Sequence, residues 1–423
     1  MKILHTSDRH LGRDLYGRQR YEEFDRFLAW VTQTIQQQSI EALLIAGDIF
    51  HTTTPTHRAQ NQYYKFLASL LDTPCKHVVI TGGNHDSPSL LDAPKIILSA
   101  LNVYVVGGAP SNPQELLIPL KNKQGQVEAI VCAVPYLRES DLQIDHTLTD
   151  FHVRQLAVAQ ALKNYYATVV EHAKNLRSTQ YPNSVLIGMA HLTVAGGETL
   201  EDDGVREVYI GGLNITGTDL FPEELGYVAL GHLHVPQIVD KKEHIRYSGS
   251  PLAMGFGEAN QKKQVCLVQT ENGKISSIEA YPIPTFQTLC RVAGSTEEIA
   301  QSIEVLKVRA QSREFEGSEI WCELHLKTTE FLPDFEKTLQ ELIQGLPIEI
   351  LYLRQTRDKV TRLEAKSATE TLTDLTPTEV FGRLLAETQA LNPETYTETD
   401  LTQVKQAFQT LLEKIHTQET NAL

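Results

Sequence analysis

From residue 1 to about 280, short apolar runs alternate with amphipathic stretches. The runs predict strands near residues 3–5, 42–46, 77–81, 103–106, 129–134, 185–190, 227–230 and 265–269. Between the early ones, Tyr21, Phe24, Phe27, Leu28, Val31 and Ile35 recur at helical spacing, as do Tyr63, Phe66, Leu67, Leu70 and Leu71. This rhythm predicts an α/β layered domain over residues 1–280. The later strands have no long helices between them, which predicts some antiparallel pairing. A polar, helix-patterned insertion at 138–180 reads as a rim or lid.

The stretch YPIPTFQ (281–287) reads as a linker because of its two prolines. Residues 285–355 then show a β-α-β-α-β pattern, expected to form a small cap domain. Two amphipathic helices are expected within 372–418. The first opens with Thr376, Pro377 and Glu379, a capping box with proline at the first helical position, and carries Val380, Phe381, Leu384 and Leu385. The second carries Leu401, Val404, Phe408, Leu411, Leu412 and Ile415. With little chain left to cover these stripes, they fit docking into a partner's groove.

Composition changes the picture only slightly. Of 423 residues, 41% are apolar and 22% charged, ordinary values for a globular chain. No apolar run reaches the roughly 20 residues a membrane span needs. The start lacks the pattern of a secretory signal, and five scattered cysteines form no C-x-x-C pair, so a cytoplasmic protein with reduced thiols is expected. The net charge of −15 counts against nucleic acid as a partner, unless bound cations or a second subunit supply positive potential.

The candidate chemistry lies where the strands end. TSDRH gives Asp8 and His10; AGDIFH gives Asp48 and His51; TGGNHD gives Asn84, His85 and Asp86; VLIGMAH gives His191; YVALGHLH gives His232 and His234. One strand-end Asp or His is an ordinary capping residue. Five such ends in one half of the chain point to a shared site outside the carboxyl ends of the strands. Carboxylate, imidazole and amide oxygen suit manganese, iron or zinc. The donors are too many for one ion and suit two, roughly 3.5–4 Å apart and bridged by a carboxylate. In extended backbone, the D-x-H and H-x-H spacings aim both side chains to one side. Glycines before Asp48, Asn84 and His232 free the backbone to turn sharply.

These motifs resemble the calcineurin-like metallophosphoesterase superfamily. MKILHTSD-x-HLG, AGDIF, GNHDSP, ALGHLH and YSGSPLAMGF are similar, within it, to bacterial nuclease subunits that work beside a long coiled-coil ATPase. The resemblance implies a metallophosphoesterase sandwich with a small α+β cap domain and C-terminal helices. It implies that Asp8, His10 and His234 hold one cation, that Asn84, His191 and His232 hold a second, and that Asp48 bridges them. It makes His85 a catalytic residue facing the scissile phosphate, with Asp86 orienting its ring. His51 departs from the Asp that bacterial relatives often carry there; it would touch phosphate, support the ligands, or serve only as a turn residue. Arg9, between two ligands, departs from the aromatic or aliphatic residue common there; it should point away from its neighbours and would need a partner if buried.

The implied activity is hydrolysis of DNA phosphodiesters in end processing, repair and recombination. It would run as a 3′→5′ exonuclease on duplex and an endonuclease on single strands and hairpins, with two divalent cations, manganese ahead of magnesium or iron. Implied partners are DNA, the coiled-coil ATPase in a two-plus-two assembly, and a second copy through helices near 57–71 and 89–101. Arg13, Arg18, Arg20, the region of Arg58 and the 138–180 insertion are the expected DNA-facing parts. The alternatives are a phosphatase of small phosphoesters and a non-catalytic DNA tether.

Overall fold

Alternation within single strands sets the layering. In the run Ala42–Ala46, Ala42, Leu44 and Ala46 face one way and Leu43 and Ile45 the other, and all five are fully buried. Such a strand needs cover on both faces. The structure, a computed structural model, describes residues 1–142, 144, 150–198, 217–311, 319–328 and 335–357, together with Phe381 and Phe408.

The first part of the chain runs β1 (Lys2–Thr6), the hairpin β2 (Asp14–Leu15) and β3 (Arg18–Gln19), α1 (Tyr21–Gln38), β4 (Ala42–Ala46), α2 (His57–Ser69), β5 (His77–Thr81), short α3 (Pro88–Asp92) and α4 (Lys95–Ser99), and β6 (Val103–Val106). Next come β7 (Leu117–Lys121), β8 (Val127–Ala133), α5 (Phe151–Gln180), β9 (Val185–His191), β10 (Leu225–Gly231), β11 (Gln237–Ile238), β12 (Ile245–Tyr247), β13 (Gln264–Glu271) and β14 (Lys274–Pro282). Last are β15 (Thr288–Gly294), α6 (Thr296–Gln311), β16 (Ile320–Thr328), α7 (Phe335–Ile343) and β17 (Ile348–Arg357).

Two six-stranded sheets result, ordered β14-β13-β1-β4-β5-β6 and β11-β12-β10-β9-β8-β7. The central strands are parallel, and the late strands β13 and β14 pair antiparallel, as their missing crossover helices require. Ile3, Leu44 and Val79 from the first sheet meet Val131, Ile187 and Tyr227 from the second in an apolar layer between the sheets. Helices α1 and α2 cover the outer face of the first sheet, and α5 covers the outer face of the second.

That placement corrects the reading of 138–180 as a rim or lid. Val158, Leu162, Tyr166, Val169, Val170 and Ala173 form a narrow stripe along α5 and are buried against the second sheet. The stripe is easily overlooked in a long helix whose other faces are polar. The expected linker also starts late: Tyr281 and Pro282 still belong to β14, paired with Val265 and Gln264. Proline is tolerated there because β14 is an edge strand.

Strands β15, β16 and β17 form a separate parallel sheet. Helices α6 and α7 pack Ile299, Ile303, Leu339 and Ile343 against Cys322, Leu324 and Leu326. The β2–β3 hairpin reaches this sheet: Tyr16 stacks on Tyr352 with ring centroids 4.7 Å apart, donates its hydroxyl to Glu323 at 3.0 Å, and is followed by an Arg18–Glu349 ion pair. The helices expected within 372–418 lie outside the described residues, except Phe381 and Phe408, both helical, whose rings stack 3.8 Å apart. Among the described residues, all five cysteines are free thiols.

Candidate metal centre

The strand ends are stitched together by backbone hydrogen bonds beyond the sheets. Past β1 and β4 the two chains run on side by side: Asp8 N donates to Gly47 O (3.1 Å), His10 N to Asp48 O (2.9 Å) and Leu11 N to Ile49 O (2.9 Å). The loop after β5 joins them, because Asp86 accepts the amides of Gly83, Ile49 and Phe50 at 2.9–3.0 Å. The second sheet closes onto this edge through His191 Nδ1, which donates to Ala46 O at 3.0 Å. A carbonyl only accepts, so this bond fixes the proton on Nδ1 and leaves Nε2 facing the site.

The seven candidate ligands come together there. Donor atoms of Asp8, His10 and His234 converge in one group, and those of Asp48, His191 and His232 in another. Asn84 Oδ1 lies with the second group, 3.0 Å from His191 Nε2 and 3.1 Å from His232 Nδ1. In the first group, His10 Nε2 and His234 Nε2 are 3.1 Å apart. One atom faces both groups: Asp48 Oδ2 is 3.5 Å from His10 Nε2 and 3.3 Å from His191 Nε2. The other oxygen, Oδ1, accepts the His85 amide at 2.9 Å.

The backbone is strained at this edge. Asp8, His10, Asp48 and His232 have φ of 51°, 47°, 49° and 103°, a region non-glycine residues rarely enter and one that clusters at functional sites. The extended D-x-H geometry expected from the sequence is therefore replaced by left-handed turns, and the two histidines of H-x-H divide between the two groups. Of the three glycines, only Gly47 has a positive φ, 82°. Gly83 and Gly231 are required by close approach instead, since an added Cβ would sit 2.1 Å from Asp48 Oδ1 and 1.8 Å from Ala46 O.

Burial and mutual contact shift the protonation of these groups in different directions. Burial pushes the Asp8 carboxyl up to about 6 and His232 down to about 3, and it holds His10 well below its ordinary value. Burial works the same way on Asp48, yet His191 and His10 hold that carboxyl well below the usual range. His191 in turn is raised to about 9, against its burial, by Asp48 and Asp8. Two buried carboxylates and four buried imidazoles, with the half-buried amide oxygen of Asn84, suit a pair of divalent cations in donor type, number and charge. The set fits the implied metals.

Other residues fall differently from expectation. Asp86 does not reach the His85 ring in its hydrogen bonding; its carboxylate is committed to three backbone amides, and the His85 Nδ1–H donates to the His51 carbonyl at 2.7 Å. Asp86 thus holds the loops together, and His51 orients the ring. His51 itself belongs to the site, grouped with His10 and His85. Arg20 is buried and bonded to Glu23 and Ala253 O, so it does not face solvent, whereas Arg18 is exposed and pairs with Glu349. The Arg58 guanidinium lies over the Tyr21 ring at 4.2 Å. Arg13 stays close enough to His10 to depress its protonation. Arg9 points away from its neighbours as expected, but its buried guanidinium meets aromatic rings in place of a polar partner: Phe66 at 4.6 Å and Phe27 at 5.9 Å. Sequence reading missed Ser7, whose hydroxyl donates to Asp8 Oδ2 at 2.5 Å and meets Ser248 at 2.9 Å.

Two facing sheets between helices, with Asp, Asn and His gathered at one edge, define the sandwich of a metallophosphoesterase. Residues 1–236 match the family described as calcineurin-like phosphoesterase, and residues 285–389 match the one described as type 5 capsule protein repressor C-terminal domain. The chain is 35% identical to the D subunit of the SbcCD nuclease from Escherichia coli K12, over 91% of this chain and 93% of that protein. It is 33% identical to the corresponding SbcCD protein of Rhodobacter capsulatus, over 90% and 94%, and 32% identical to that of Bacillus subtilis, over 65% and 67%. The chain belongs to the calcineurin-like phosphoesterases and, within them, to the SbcD family of SbcCD nuclease proteins. Among the described residues, no helix is long and apolar enough to cross a membrane.

Proposed function

We propose that this chain is a metal-dependent nuclease, a hydrolase of phosphodiester bonds that works as the nuclease subunit beside an SbcC-type ATPase. Asp48 carries the reading, because one carboxylate oxygen lies within 3.5 Å of imidazoles from both donor groups. Asp8, His10 and His234 would hold one cation; Asn84, His191 and His232 the other; Asp48 would be shared. When bound, such cations would supply charge to the phosphate oxygens and acidify water.

The chain's own residues supply the rest. The His51 carbonyl holds the proton on His85 Nδ1, so Nε2 is the nitrogen able to give or take a proton at the leaving oxygen. The left-handed turns at Asp8, His10 and Asp48 aim the donors at one edge, and a rigid backbone there would limit reorganisation during the reaction. Each of the seven ligand positions carries a donor, which favours catalysis over a tethering role.

Finer properties follow from the same reading. The cations are manganese, and cutting runs 3′→5′ on duplex ends and endonucleolytically on single strands and hairpins. Residues 285–355 act as a cap domain and 372–418 dock the ATPase, in an assembly of two chains of each kind. The chain pairs with a second copy through the helices near 57–71 and 89–101, a reading supported by exposed Ile96, Ile97 and Leu101.

The test is degradation of a labelled duplex in Mn²⁺, with and without the ATPase, against a phosphomonoester control. The wild type should degrade DNA in preference to the monoester. His85→Gln should keep its bound metal and lose roughly 10²–10⁴-fold in turnover. Preference for the monoester would overturn the nuclease reading, and full activity in the variant would remove His85 from the chemistry.

A further inference from the structure

The stretch YSGSPLAMGF carries part of the family resemblance yet supplies no candidate ligand. It leads directly into Glu258, one of the most deeply buried acidic residues, at 1% exposure. The two oxygens of this carboxylate have different surroundings. Oε2 accepts from Met254 N at 3.2 Å, from Ser250 Oγ at 3.3 Å and from Lys263 Nζ. Oε1 has no hydrogen-bond partner among the described residues and lies 3.6 Å from His234 Nδ1. On the far side of the same ring, His234 Nε2 is 3.1 Å from His10 Nε2, at the first donor group. Lys263 closes the arrangement, since its ammonium also donates to Ser250 Oγ at 2.9 Å and to the His234 carbonyl at 3.2 Å.

We propose that Glu258 is the positioning residue of His234. At 3.6 Å the contact is electrostatic rather than a hydrogen bond: the negative charge of the carboxylate favours the tautomer that carries its proton on Nδ1, which leaves Nε2 for the first donor group and raises the basicity of the ring. The Ser250–Met254 turn and Lys263 hold the carboxylate at that angle. The inference rests on the metal-binding reading above and assigns a task to a motif that reading leaves unused.

The rival explanation is that Glu258 is merely the counter-ion of buried Lys263. Calorimetric titration of the metal-free full-length protein with Mn²⁺ separates the two, read beside thermal melting. Wild type should bind two ions with resolvable affinities. Glu258→Gln should weaken one site about 10-fold and leave the other unchanged. The double variant Glu258→Leu/Lys263→Met removes both charges and should melt near wild type, yet weaken the same site by about 100-fold. Wild-type affinity in the double variant, or equal loss at both sites, would overturn the positioning role. Failure of the wild type to bind two ions would instead overturn the metal reading, and this inference with it.

Discussion

Arg9 shows how a residue beside the site is accommodated without serving it. It sits between Asp8 and His10, but its guanidinium lies in the apolar layer of α1 and α2, and none of its nitrogens meets a hydrogen-bond partner among the described residues. Burial lowers it to about 9. Ring faces offset only part of the cost of burying a charge. Arg9→Leu should therefore hold or raise stability, by up to about 1–4 kcal/mol, as replacement of buried charges by apolar residues often does. Urea denaturation checks this, and a clear loss of stability would show that the charge has a partner. His5, between the sheets, gives a pH prediction. Its Nδ1 meets Tyr227 OH at 2.9 Å, Nε2 meets Leu230 O at 3.2 Å, and burial depresses it to about 3. Between pH 6.5 and 3 the unfolded chain binds a proton there that the folded chain refuses, so stability falls as pH falls. His5→Gln should remove on the order of a few kcal/mol of that fall, measured as the difference in unfolding free energy between about pH 7 and pH 4. An unchanged slope would place the acid sensitivity elsewhere.

Secondary-structure elements carry the donors to one edge, and their ends were largely readable. Apolar runs stop abruptly at Asp8, Asp48, Asn84, His191 and His232, and burial on both faces makes those runs unambiguous. What could not be read depends on contacts distant in sequence. Asp86 looks like a partner of its neighbour His85, but its hydrogen bonds go to Ile49 and Phe50, in a loop more than 30 residues earlier. Arg20 looks like a free surface cation, but Glu23 follows one turn later and Ala253 O arrives from the far end of the domain. The β2–β3 hairpin carries no pattern that reveals its docking on the β15–β17 sheet. Tyr16, with φ of 48°, makes that contact directly after the Asp8–His10 segment. Tyr16→Ala should increase amide exchange across β15–β17 while leaving β1, β4 and β5 protected. Unchanged exchange would mean that the sheet is held without the hairpin.

At the scale of the molecule, an acidic chain is proposed to handle an acidic polymer. Its net charge of −15 is unfavourable for that contact on its own. The proposed cations and ATPase partner would supply the missing positive potential, so DNA affinity should rise with bound metal and with the partner, and should fall with salt. Binding isotherms at several salt concentrations check this; tight, metal-independent binding by the isolated chain would show that surface arginines suffice. The sandwich itself explains why the site lies where it does. Asp8, Asp48 and Asn84 come from the first sheet and His191, His232 and His234 from the second, so only facing sheets bring the set together.

The most direct measurement is anomalous diffraction from crystals soaked in Mn²⁺. The account predicts two peaks, roughly 3.5–4 Å apart, on either side of the Asp48 carboxylate. A single peak, or peaks away from Asp48, would contradict it.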